Sequence, residues 1–298
     1  MIRILVTGAK GQLGSELRDL SCNFEGMNFV FVDLDDLDVS DIDAVSVFFK
    51  TQPRFDFIVH AAAYTQVDRA ESEPEKARLV NSDAVGFLAE QARKNKSCFI
   101  HISTDYVFDG TKNTPYTEND FVNPVSVYGQ SKLDGEMQLI NSGAAFYIIR
   151  TSWLYSSYGN NFAKTIIRHA KEKELLQVVY DQVGTSTYAA DLAVAILSVI
   201  QQVVNNQFVV VSGIYHFSNE GVCSWFDFAT ELVHALALKT KIAPILSKQF
   251  PTPVKRPAYS VLDKQKIKMD FGIEIPHWRQ SLKKCLLKLE SGHPYTNN

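Results

Sequence analysis

Cysteine is scarce in this chain: four residues in 298, Cys22, Cys98, Cys223 and Cys285, all far apart. They form no CxxC pair, which argues against a disulfide framework and for reduced thiols in a cytosolic protein. None of the seven histidines pairs at HExxH spacing, so no catalytic zinc site is expected. Positive charge is not in excess either. The formal net charge is −3, which excludes a sequence-independent grip on nucleic-acid phosphates and means that an acidic ligand must be met by local cations. Long apolar runs are missing: the most apolar stretch, Tyr188 to Val204, contains Asp191, Ser198 and two glutamines and is too interrupted to span a bilayer. The opening MIRILVTGAKG is strand-like and ends in glycine, with no apolar core of a secretory signal, so a cytoplasmic location is expected. Internal repeats and low-complexity tracts are absent. What is present is ordinary for a globular protein, 46% hydrophobic and 21% charged, and long enough to bury a sizeable core.

The first half alternates short β-rich runs with longer amphipathic stretches. Strands are expected at Ile2–Val6, Phe29–Asp33, Phe57–His60, Cys98–Ser103 and Phe146–Arg150. Helices are expected near Leu13–Leu20, Ile42–Thr51, Glu75–Lys94 and Tyr128–Leu139. That rhythm predicts an α/β fold with a doubly wound parallel Rossmann sheet, because right-handed crossovers place helices on both faces. Beyond about Thr151 the rhythm loosens and prolines accumulate. Helices at Phe162–Lys173 and Ala189–Val204, and an apolar run after Trp225, are expected there. Residues 1–150 are read as the dinucleotide-binding core and 151–298 as a smaller, loop-rich substrate lobe, some of whose segments rejoin the core sheet.

Directly after the first strand stands Gly8-Ala9-Lys10-Gly11-Gln12-Leu13-Gly14, a GxxGxxG turn. Glycines there allow a tight turn and let backbone amides meet a pyrophosphate at a helix N-terminus. Asp33 ends the second strand, nineteen residues after Gly14, where a carboxylate would bond the adenosine ribose hydroxyls. It favours NADH, while Lys10 could pair with a 2′-phosphate, so use of both NADH and NADPH is expected. The acidic run Asp33, Asp35, Asp36, Asp38 and Asp41 reads as a loop beside the cofactor that leads to a helix N-cap, not as a metal cluster. Asp38 and Val39 could flank the adenine. The small residues Ala61, Ala62 and Ala63 would let the cofactor lie across the strand ends.

Tyr128 and Lys132 form YxxxK and share one helix face. Of twelve tyrosines only Tyr128 has lysine four residues on, and it follows the fourth strand. Ketone reduction needs hydride at carbon and a proton at oxygen. A free phenol has a pKa of about 10, and a nearby ammonium brings it toward the working range. The lysine can also hold the nicotinamide ribose. A hydroxyl at the end of the fourth strand, Thr104 or Ser103, would polarise the carbonyl.

These motifs, with HAAAYTQVDRAESEP (60–74), STDYVFDG (103–110), NPVSVYGQSKLDGE (123–136), RTSWLY (150–155) and GNNFAKT (159–165), resemble the extended short-chain dehydrogenase/reductase superfamily. More narrowly, nearly the whole chain resembles the dTDP-4-dehydrorhamnose reductases. The resemblance implies NAD(P)H-dependent reduction of a nucleotide-linked 4-keto sugar for polysaccharide synthesis. It implies Thr104, Tyr128 and Lys132 as the catalytic set. Lys10, Gly11, Gln12, Asp38, Val39, Ala62 and Ala63 would touch the cofactor, and Asp105, Tyr106 and Trp153 would line the sugar pocket. The family's Arg-Pro-x-Asn-Ser-x-Leu run reads Arg256-Pro257-Ala258-Tyr259-Ser260-Val261-Leu262 here, which leaves Arg256 as the candidate for the nucleotide diphosphate. Some relatives hold magnesium at a dimer contact; with only Asp191 in the corresponding stretch, no metal is expected. A small-molecule nucleotide sugar is the expected partner, with neither nucleic acid nor membrane, and a homodimer stays open.

Other readings use the same fold. Nucleotide-sugar 4,6-dehydratases resemble Thr-Asp-Glu after the fourth strand, and here Tyr106 takes the place of that glutamate base. Epimerases recycle a held NAD instead of consuming NAD(P)H. A non-catalytic regulatory subunit of the same family works by association, and the intact Thr104, Tyr128 and Lys132 argue for turnover instead.

Overall fold

The computed structural model describes residues 1–205 and 212–291; the end of the expected substrate lobe, 292–298, lies outside the described residues. Parallel strands β1 (Ile2–Thr7), β2 (Met27–Val32), β3 (Phe57–His60), β4 (Cys98–Thr104), β5 (Ala145–Thr151) and β6 (Gly213–His216) form the central sheet. Their spatial order is β2-β1-β3-β4-β5-β6. The chain moves from β1 outward to β2 and then returns to the far side of β1 to lay down β3. This reversal opens a crevice beyond the carboxyl ends of β1 and β3, where ligands of such sheets bind.

Alternation along the strands divides the core. Ile4, Val6, Val59, Ile100 and Ile149 face one side, and Leu5, Ile58, Phe99 and Ile148 the other. Both sides are covered by the helices α1 (Gln12–Ser21), α2 (Ile42–Thr51), α3 (Ala84–Asn95), α4 (Val127–Asn141) and α5 (Ala189–Val204). Leu13 and Leu17 of α1 and Ile196 and Ile200 of α5 close the first side. Val45 and Phe49 of α2 and Val85 and Leu88 of α3 close the second. Strands buried on both faces read as continuous apolar runs, and each buried Ile, Leu, Val or Phe contributes about 1.5–3 kcal/mol.

The one helix expected over Glu75–Lys94 is interrupted. Pro74–Arg78 and α3 are α-helical, but Leu79–Asp83 between them is a π-helical turn. The wider turn carries Asn81, whose side chain accepts from the Tyr64 N–H at 2.8 Å and donates to the Tyr64 carbonyl and to Ser131 Oγ. Helical propensity alone does not reveal this, because the Asn81 side chain bonds groups distant in sequence, the Tyr64 backbone and Ser131 of α4. Past β5 the chain forms a second core, with Tyr155, Ile166, Phe228, Leu232, Trp278 and Leu282 packed together. Gly213–His216 then joins the main sheet beside β5.

Candidate active site

A cleft of about 1160 Å³ runs along the carboxyl ends of the strands. Gly8, Gly11, Gln12, Leu13, Asp33, Asp38, Val39, Ala61, Ala62, Ala63, Thr104, Asp105, Tyr106, Tyr128, Lys132, Trp153 and Arg256 line it together. Lys10 and Gly14 are the expected site residues that do not. Lys10 turns outward, with Nζ on Asp35 at 2.6 Å. Gly14 lies beneath the turn, where a Cβ would stand 2.3 Å from the Gly8 carbonyl oxygen and 2.7 Å from Ala9 Cα. Gly8 has φ +70, and a Cβ there would meet the Ala62 nitrogen at 2.6 Å. These two glycines therefore let the turn lie against the end of β3 and α1 lie against the turn. Gly11 is the N-cap of α1 and offers no side-chain cap, so the first amides of the helix keep their donor capacity.

The acidic loop is tied to backbone. Asp33 Oδ2 accepts from the Lys10 N–H at 2.6 Å and Oδ1 from the Leu34 N–H at 2.9 Å. Asp38 Oδ1 accepts from the N–H and hydroxyl of Ser40. Asp41 caps α2 through the amides of Asp43 and Ala44.

On the opposite wall, Ser126 Oγ caps α4 by accepting from the Gly129 N–H, and Glu71 accepts from the Val127 N–H. The first turn of α4 thus sets Tyr128 at the cleft and Lys132 one turn deeper. Burial pushes the Tyr128 phenol up to about 12, with the Thr104 hydroxyl acting against it. The Lys132 ammonium is 2% exposed, and burial lowers it to about 8. Its Nζ donates to the Ile102 carbonyl at 2.7 Å and meets His101 Nε2 at 3.4 Å. Near neutral pH the phenol therefore holds its proton and the lysine its charge, the states that proton donation to a ketone oxygen requires. Thr104 Oγ1 accepts from the Tyr106 N–H and donates to Asp105 Oδ1 at 3.1 Å. Asp105 is 2% exposed, its other oxygen has no partner, and burial raises its carboxyl to about 6. The Tyr106 ring stands edge-on to Tyr128 at 5.5 Å.

The far end of the cleft is aromatic. Trp153 adopts φ +46, a rare conformation for a bulky residue, and stacks on Trp225 with centroids 3.6 Å apart. Phe162 abuts Trp225 at 4.5 Å. Arg256 reaches the cleft but is not free: its Nη2 donates to Asp68 Oδ2 at 3.0 Å.

Trp225, Phe162, Tyr64, Asn81 and Asp68 also stand at or beside the cleft, and none was an expected site residue. Tyr64 and Asp68 lie inside the 60–74 segment, which marked the region without marking them. Phe162 lies likewise inside the 159–165 segment, while Trp225 and Asn81 carry no local signature.

The chain is similar to known proteins over nearly its whole length. Residues 2–291 match the family model described as the RmlD substrate binding domain. The chain is 41% identical to a dTDP-4-dehydrorhamnose reductase of Aggregatibacter actinomycetemcomitans, covering 95% of this chain and 98% of that one. It is similar to the crystal structure of a dTDP-4-dehydrorhamnose reductase from Clostridium acetobutylicum, with TM-score 0.90, 39% identity and coverage of 97% of this chain and 100% of the other. A Bacillus anthracis dTDP-4-dehydrorhamnose reductase solved in complex with NADP is similar to the same degree, with TM-score 0.90, 36% identity and the same coverage.

Proposed function

This chain belongs to the dTDP-4-dehydrorhamnose reductase family, and from that premise we propose that it reduces the C4 ketone of dTDP-4-dehydro-6-deoxy-L-mannose to dTDP-L-rhamnose with NADPH or NADH. The product would serve cell-surface polysaccharide synthesis. The observation that carries the reading is the meeting of Thr104, Tyr128 and Lys132 with the uncapped glycine turn in a single cleft.

The cradle fits a dinucleotide: Gly8 and Gly14 occupy places where a side chain would strike backbone, and the free amides at the start of α1 suit a pyrophosphate. Gly11, Gln12 and Leu13 would hold that group. Asp33 would meet the adenosine ribose, Asp38 and Val39 the adenine, and Ala61 to Ala63 the path between. The nicotinamide, when bound, supplies the hydride. Tyr128 gives its phenolic proton to the ketone oxygen, Thr104 polarises that oxygen, and Lys132 steadies the tyrosinate left behind. Asp105, Tyr106 and Trp153 would enclose the sugar, and Arg256 would face the diphosphate. In this division residues 1–150 bring the cofactor site, the acid and the Asp105–Tyr106 side of the sugar pocket, and residues beyond 150 bring Trp153 and Arg256. A cytoplasmic setting fits the four free thiols. Size-exclusion chromatography decides between monomer and homodimer.

The test is Tyr128→Phe. Cofactor binding should persist while reduction falls by about 10²–10⁴-fold, the usual contribution of acid catalysis. Loss of NADPH absorbance on adding the dTDP-4-keto sugar measures it, and near-normal turnover would remove Tyr128 from the chemistry.

A further inference from the structure

Behind the proposed chemistry lies a buried ion pair that the reduction itself does not use. Helix α4 carries Tyr128, Lys132 and Glu136 at four-residue steps, one face turned to the sheet. Glu136 and Arg150 are 1% and 2% exposed. Arg150, on β5, donates from Nε to Oε1 at 2.9 Å and from Nη2 to Oε2 at 2.7 Å, a two-pronged grip. Ser103 Oγ donates to the same Oε1. Ser103 is paired with Arg150 across β4 and β5, and the next residue on β4 is Thr104. On its other side α4 is pressed close to the π-helical turn, where a Cβ on Gly135 would stand 2.1 Å from the Asn81 carbonyl oxygen.

Stability is a weak reason for such a pair. Desolvating two charges costs about as much as their attraction returns, and apolar side chains of equal volume often serve as well. Three directional bonds do something apolar packing does not: they fix where a helix sits along a strand. We propose that Glu136, gripped by Ser103 and Arg150, is a positioning residue for the reduction, which sets Tyr128 against Thr104. The proposal rests on Tyr128 and Lys132 being the reducing pair.

Glu136 is also the carboxylate one turn from Lys132 on the same helix face. From its own helix Lys132 faces Tyr128 and Glu136. From β4 it faces the Ile102 carbonyl and His101, and behind His101 stands His60 of β3, stacked at 5.5 Å. Burial, with Lys132 itself, holds both imidazoles neutral. Arg150 of β5 approaches through Glu136. Burial pulls the ammonium down, and Glu136 opposes the fall.

The experiment is the pH profile of kcat in full-length variants. Lys132 acts when charged, so activity should fall as pH rises through its pKa. Glu136→Gln removes the raising influence, and the basic limb should move to lower pH by roughly one unit. Glu136→Asp keeps the charge on a shorter arm. Its limb should stay in place while kcat drops on the order of tenfold to a hundredfold through lost register. Glu136→Gln combined with Arg150→Met leaves no charge unpaired, so folding should recover while kcat stays low through lost register. A wild-type kcat in the folded double variant, with Tyr128→Phe inactive, overturns the role of Glu136 alone. Near-normal turnover in Tyr128→Phe overturns the reading on which it rests.

Discussion

Arg256→Ala tests how the substrate diphosphate is held. Arg256 lines the cleft with its guanidinium half committed: Nη2 bonds Asp68, while Nε is buried without a partner. A charge-assisted hydrogen bond to a phosphate oxygen contributes about 1.5–3 kcal/mol. At about 1.4 kcal/mol per tenfold, its loss should raise KM for the nucleotide sugar roughly tenfold to a hundredfold. Asp68 competes for the same group. The pair is 30% and 40% exposed, so solvent screens it and its worth is about 0.2–1 kcal/mol. Asp68→Asn should therefore lower the sugar KM, by about fivefold at most. Neither change should move KM for NADPH, because the glycine turn proposed for that pyrophosphate is a separate part of the cleft. Steady-state titration of each substrate, with competitive inhibition by dTDP, measures all of these. An unmoved sugar KM in Arg256→Ala, or both KM values rising together, refutes the assignment. A higher sugar KM in Asp68→Asn would instead make Asp68 the group that aims Arg256.

Asp33→Asn should raise the ratio of kcat/KM for NADPH over NADH by about tenfold, since one negative charge near a 2′-phosphate costs on the order of 1–2 kcal/mol when screened; an unchanged ratio places Asp33 away from the ribose. Gly14→Ala should raise the NADPH KM and lower the thermal midpoint by a few degrees, because its Cβ would lie 2.3 Å from the Gly8 carbonyl oxygen and such overpacking costs about 1–3 kcal/mol. A melting curve superimposable on wild type would show that the turn yields without strain.

What the sequence revealed follows from range. The buried strands are continuous apolar runs, the glycine turn spans seven residues and the YxxxK pair is one helical turn, so each is a short-range pattern. The direction a loop residue faces is not. Lys10 and Gly14 belong to the turn by sequence, yet one leans out to Asp35 and the other packs under Gly8. Asn81 looks like an ordinary helical residue until its side chain is seen bridging Tyr64 and Ser131. Arg256 and Asp68 are 188 residues apart, and no periodicity joins them. Glu136 shows why both scales are needed. Its place four residues past Lys132 was readable, and that spacing alone makes it a solvent-facing helix charge as readily as a buried one. Only the arrival of Arg150 from a neighbouring strand, with Ser103 beside it, turns the same carboxylate into a group that can govern where the helix sits. A motif thus fixes which atoms are near one another on a single element, and the packing of that element on the sheet decides which of them can do chemistry.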